Sequence, residues 1–206
     1  MTQYLPFIAF AFVASITPGP TNILVLSHSA LHGLLAALRI TLGACAGAAL
    51  IVLLVGLGLG EILQSLPGLQ TAMTWAGVAW ISRLAWQLWR SAPASLTPDT
   101  ASQPLGAWSG ASLQAINPKT WLMALAVISV FAGTDARAHE YGLHAAIFFL
   151  VALPCLTAWA LVGQGAARLL THPRAQQRFN RAMALLLLVS AWASVIPVSQ
   201  VIALYH

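Results

Sequence analysis

Charge is what this sequence has least of: only 6% of its 206 residues are Asp, Glu, Lys or Arg, where a soluble domain carries roughly a quarter. Four carboxylates, a single lysine and eight arginines cannot clothe a water-exposed surface, which excludes an ordinary soluble globular protein. Cysteine is almost as scarce. Cys45 and Cys155 both fall in apolar stretches, so neither a disulfide scaffold nor a CxxC metal or redox site is supported. No HExxH or GxSxG motif occurs, and Glu61, Asp99, Asp135 and Glu140 all fall in expected loops or span ends. An integral-membrane enzyme would need paired carboxylates, metal ligands or a nucleophile with its base, so no enzyme and no cofactor are expected. Met1 to Leu5 carries no base, so the first apolar stretch reads as a retained helix and not as a cleaved leader.

What the chain has is long uncharged runs. No charged residue occurs before Arg39, from Ile40 to Gly60, or from Ile62 to Ser82, and similar gaps run from Tyr141 to Ala167 and from Ala182 onward. Roughly 20 residues at about 1.5 Å each cross a bilayer core as a helix. The expected fold class is therefore all-α integral membrane, with transmembrane helices near 4–28, 38–60, 66–89, 108–132, 141–167 and 182–204. These form a single membrane domain, 1–206, in which 91–107 is a cytoplasmic linker. Its Ser91 to Gln103 stretch is rich in Ser, Thr, Pro and Ala. The linker separates two three-helix halves, 1–90 and 108–206. Three is odd, so the second half enters the membrane from the opposite side, and halves sharing a fold would be inverted repeats.

The bases set orientation. Arg39, Arg90, Arg168, Arg174, Arg178 and Arg181 fall in the odd loops, whereas the even loops hold only Arg137 beside three carboxylates. The odd loops are expected in the cytoplasm and both termini outside. Tyr4, Tyr141 and Tyr205 then fall at outer ends and Trp86, Trp89 and Trp108 at inner ends, where amphipathic rings favour the interface. A pI near 10 suggests nucleic acid, but bases spread over short loops form no basic groove, so no nucleic-acid partner is expected.

The candidate site lies at two proline motifs. Thr17-Pro18-Gly19-Pro20 sits mid-way along the first span and Asn117-Pro118-Lys119 early in the fourth, with Pro18 and Pro118 offset by 100 residues. Proline removes an N–H and clashes with the carbonyl one turn back, so each motif breaks its helix and must face protein or a wet cavity. Thr17 and Asn117 are good N-cap residues, which would place Pro18 and Pro118 at the favoured first helical position. Each motif would thus begin a half-helix whose exposed amides and positive dipole end suit a carboxylate. Lys119, the chain's one lysine, adds an ammonium, and Asn22 adds a neutral donor and acceptor one turn beyond Pro18. Against this stand simpler readings: a lone proline kinks a helix, and a lysine near a helix end snorkels to the headgroups.

Two further positions are candidates for coupling or gating. Arg83 lies within the third span, where a charge is either functional or snorkelling. His28 and His32, one turn apart, could relay protons, but no third ligand lies near in sequence, so no metal site is expected. Gly43 and Gly47, spaced small-xxx-small, point to close helix packing.

At Pro18-Gly19-Pro20 and Asn117-Pro118-Lys119 the chain resembles the LysE/RhtB family of amino-acid exporters. The resemblance continues through Ser27 to Gly33, Leu42-Gly43 with Gly47, Gly77 before Trp80, Gly110, and Phe179-Asn180-Arg181. It departs at Thr21-Asn22, where an acidic residue often follows the first motif, at Ala85 in place of a glycine, and at Arg83. The resemblance implies a secondary transporter of the bacterial inner membrane exporting amino acids or close derivatives, driven by the proton motive force. The partners so implied are a small zwitterionic or anionic solute and the lipid bilayer, with protons a candidate coupling ion. A homo-oligomer stays open, as does the alternative of a channel or scaffold subunit.

Overall fold

The structure is a computed structural model describing residues 4–90, 105–132, 136–169 and 172–193, and no strand occurs among the described residues. The helices are α1 (Tyr4–Ile16), α2 (Pro20–His32), α3 (Leu34–Leu54), α4 (Gly60–Ser65), α5 (Pro67–Arg90), α6 (Ala107–Ala115), α7 (Pro118–Val127), α8 (Ala138–Leu169) and α9 (Pro173–Ala193). Wider π-helical turns extend α3 through Val55–Leu59 and α7 through Ile128–Ala132. Tyr205 and the Ser91–Gln103 linker lie outside the described residues.

Leu34–Ile62, which kinks at Gly58 (φ 111°), and Ala138–Ala167 are long and apolar enough to cross a bilayer. Two further apolar helix pairs bend where the proline motifs predict: α1 and α2 meet at 55°, and α6 and α7 at 72°. The surface is inverted relative to a soluble protein. Leu5, Phe12, Leu35, Leu50, Leu122, Leu150 and Val189 are exposed, while Asn22, Gln114, Asn117 and Thr120 are buried. Lipid, not water, satisfies such an exterior, and the chain is a multi-pass membrane protein.

The expected boundaries hold for α3, α5 and α8 within a few residues. The sixth helix differs: it begins at Pro173, not near 182, so Arg174, Arg178 and Arg181 belong to a helix and not to a loop. All three lie on its exposed side at helical spacing. Arg181 sits 5.3 Å over the Trp89 ring and Arg90 sits 4.6 Å over Trp86. These pairs gather cations and indoles at one end of the α5–α9 pair, an arrangement suited to a headgroup layer.

Small residues decide which helices touch. A Cβ on Gly43 would strike the Ala107 backbone, one on Gly47 would lie 2.8 Å from the Ala111 carbonyl, and one on Gly110 would strike the Ile40 carbonyl. The small-xxx-small stripe therefore brings α3 against α6 at near-backbone contact. On the other side Gly163 of α8 gives room to the Leu26 carbonyl of α2, and Ser29 Oγ donates to the Ala160 carbonyl at 2.6 Å. Gly33, at φ 86°, makes the left-handed turn from α2 into α3 that a side chain would disfavour.

Candidate functional site

At the first break the observed cap differs from the expected one. Thr17 remains in the last turn of α1: its amide and its hydroxyl both donate to the Val13 carbonyl, the amide at 3.1 Å. Helix α2 starts two residues later than expected, with Gly19 as N-cap and Pro20, not Pro18, at the first helical position. Thr17 and Pro18 are exposed and do not line the cavity described below. The physical reason is local. A threonine that bonds the carbonyl one turn back cannot also cap forward, and the second proline is preset for the first helical turn. Gly19 has no side chain to cap α2, so the first amides of that helix stay free of an internal acceptor.

The second break follows the expectation. Asn117 is the N-cap of α7, its Oδ1 accepting from the Lys119 amide at 3.1 Å, and Pro118 takes the first position. Of the two half-helix starts, α7 is capped by its own side chain and α2 is not.

The two breaks touch. Lys119 Nζ donates to the Thr17 carbonyl at 3.2 Å, across 102 residues of sequence. A Cβ on Gly19 would stand 3.3 Å from that ammonium nitrogen. The backbone at Gly19 is extended, with φ −162°, so its conformation does not call for glycine, and an added Cβ would press chiefly on the movable end of the Lys119 side chain. Thr21 Oγ1 accepts from Gln114 Nε2 at 3.1 Å and from Asn117 Nδ2 at 3.3 Å, and Gln114 Oε1 accepts from Thr120 Oγ1 at 2.5 Å. A polar network thus joins the start of α2 to the α6–α7 corner.

Breaking α1 frees its last carbonyls, and each of three consecutive ones finds a side-chain donor. Asn22 Nδ2 donates to Ser15 O at 2.8 Å, Trp159 Nε1 to Ile16 O at 3.1 Å, and Lys119 Nζ to Thr17 O. At the other corner Trp121 Nε1 donates to Ala115 O at 2.8 Å. Where no water competes, an unmet carbonyl is costly, and these donors hold the breaks in place. Trp159→Phe keeps an aromatic ring but removes the indole N–H together with the five-membered ring that carries it. It should lower stability by about 1–3 kcal/mol, read as an earlier thermal transition of the detergent-solubilised protein, and an unchanged transition would refute this role.

Beside the breaks lies a cavity of about 40 Å³ whose lining includes Ser15, Gly19, Pro20, Thr21, Asn22, Asn117, Lys119 and Thr120. That volume holds on the order of three waters, far below the several hundred Å³ of a ligand pocket. The helices must part for a solute to enter.

Of the expected site residues, Gly19, Pro20, Asn22, Asn117 and Lys119 line this cavity, Thr17 and Pro18 do not, the Thr17 carbonyl accepts from Lys119, and Pro118 positions Lys119. The other two candidates stand apart. His28 is buried, stacked on His32 with ring centroids 4.3 Å apart, its Nε2 without a hydrogen-bond partner. It lies seven residues beyond Thr21 on α2, about 10 Å along the axis. Arg83 is on the exposed side of α5, its guanidinium 5.4 Å over the Trp80 ring, which fits a side chain reaching along the surface. Sequence reasoning missed Ser15, Thr21, Gln114, Thr120 and Trp159 as site residues. The accounting of freed carbonyls signals that donors must exist, but not which helix brings them.

The model of the LysE type translocator family matches residues 12–196. The cysteine/O-acetylserine efflux protein of Klebsiella pneumoniae is 31% identical over 159 residues, covering 76% of this chain and 80% of its own. Proteins of the same description from Salmonella choleraesuis and Escherichia coli are 30% and 29% identical over 187 residues, 90% of this chain and 93% of theirs. No solved structure gives a significant match.

Proposed function

The chain belongs to the LysE type translocator family, and from that membership and the meeting of its two helix breaks we propose a secondary carrier that exports amino acids or close derivatives from the bacterial cytoplasm. The observation that carries the reading is the contact between Lys119 Nζ and the Thr17 carbonyl, beside the uncapped start of α2. An ammonium and free amides at one point make a receptor for a carboxylate. The efflux proteins it resembles are described as handling cysteine and O-acetylserine, both of which carry that group.

In this reading the six spans are two inverted halves, α1–α5 and α6–α9, placed in the inner membrane with odd loops in the cytoplasm and both termini outside. Packing supports the symmetry: the broken first span of each half lies on the second span of the other, α6 against α3 and α2 against α8. Solute binds where the broken spans meet, the substrate carboxylate replaces the Thr17 carbonyl on Lys119, and the halves rock about it. The proton motive force drives export, with Lys119, His28, water or the substrate's own ionisation carrying the coupling.

Purified protein in liposomes loaded with cysteine should give saturable flux, accelerated by substrate on the opposite side and increased by an imposed pH gradient. Flux that rises linearly with concentration and shows no such acceleration would mean a pore and defeat the carrier reading.

A further inference from the structure

One hydroxyl in the cavity behaves unlike the others. A serine or threonine within a helix commonly bonds the carbonyl one turn back. Ser27 Oγ does so to Ile23 O, Ser129 Oγ to Leu125 O and Thr157 Oγ1 to Leu153 O, each at 2.7 Å. The other two cavity hydroxyls are engaged as well: Thr120 gives its proton to Gln114, and Thr21 accepts from two amides. Ser15 does neither. Its residue is only 5% exposed, its Oγ has no hydrogen-bond partner, and it lines the cavity.

A buried hydroxyl left without a partner carries a desolvation cost that a ligand atom can remove. Its surroundings narrow what that atom belongs to. Ala44 and Ala48 of α3 and Ala152 and Phe148 of α8 form the apolar wall, so little bulk fits. The carboxylate end, at Lys119 and Asn22, is close by. Ser15 and Lys119 line one cavity of about 40 Å³, so the hydroxyl and the ammonium border the same small space. A small α-amino acid held by its carboxylate at that end has its side chain within the same small cavity as Ser15.

Resting on the carrier reading above, we infer that Ser15 is a specificity-determining residue. It selects α-amino acids whose short side chain carries a hydroxyl or thiol on Cβ, over isosteric hydrocarbon side chains. An apolar isostere leaves the Ser15 hydroxyl buried and unpaired, and that penalty is the discrimination.

The test is counterflow in proteoliposomes with serine, cysteine, 2-aminobutyrate and leucine as competing solutes. Wild type should favour serine over 2-aminobutyrate by roughly tenfold, the worth of about one hydrogen bond, and cysteine by less because a thiol bonds weakly, while leucine should compete poorly. Ser15→Ala should remove both preferences and bring each ratio to near one. Lys119→Ala should weaken every solute alike. A wild-type protein that prefers 2-aminobutyrate or leucine overturns the inference without any variant, as does a ratio unchanged in Ser15→Ala while Lys119→Ala still loses transport. If no amino acid is carried by wild type, or Lys119→Ala changes nothing, the carrier site itself is misplaced and the inference falls with it.

Discussion

A chain carrying Pro118→Ala together with Lys119→Ala should insert and fold yet export nothing. The two changes act on different terms. Without Lys119 the ammonium that meets the Thr17 carbonyl is gone, and a hydrogen bond to a charged group is worth about 1.5–3 kcal/mol, roughly 10- to 150-fold in affinity. Restoring an N–H at 118 allows α6 and α7 to approach one continuous helix, and the 72° bend that aims residue 119 at the first break relaxes. Lys119→Arg should not support transport, because the ammonium already lies close to Gly19, where even an added Cβ would stand 3.3 Å away, and a guanidinium is broader than a single ammonium nitrogen. The readout is accumulation of exported amino acid in cells whose membrane content of the variant matches wild type. Export intact at matched content would move the substrate site away from these motifs.

The fold was readable because lipid makes strict demands on sequence. Uncharged runs locate α3 and α8, and the Pro-Gly-Pro and Asn-Pro motifs locate the breaks, whereas the lone Pro154 sits inside α8 without breaking it. Less was readable where a residue can satisfy itself in two ways. Thr17 looks like a cap by type, but its hydroxyl turns back to Val13, and the choice between two flanking prolines then passes to Pro20. Arg174, Arg178 and Arg181 look like a loop by charge alone, whereas their spacing already describes one side of a helix. Least readable were the contacts across the chain. Nothing near residue 159 announces that its indole reaches Ile16, 143 residues away, or that Gln114 reaches Thr21. Those partners follow from which helices pack together, and that is set by small residues elsewhere.

That dependence makes Gly43 the position where one added side chain should do most harm. A leucine there would place its Cβ on the Ala107 backbone, where no rotamer helps because the backbone fixes the Cβ position and the atoms it meets are main chain. Helix α6 would have to withdraw from α3 along its length, since Gly47 against Ala111 and Gly110 against Ile40 belong to the same contact. Overpacking a well-filled core costs about 1–3 kcal/mol when side chains can move and more when they cannot. The loss also spreads: α6 carries Gln114, and its C-terminal corner sets the direction of α7 and Lys119. Gly43→Leu should therefore give little folded protein in detergent and no export, whereas Gly142→Ala, where an added Cβ meets nothing within 4 Å, should match wild type in both. Equal yield and stability for Gly43→Leu would mean that α3 and α6 do not meet at these glycines, and the frame that brings the second break to the first would have to be rebuilt.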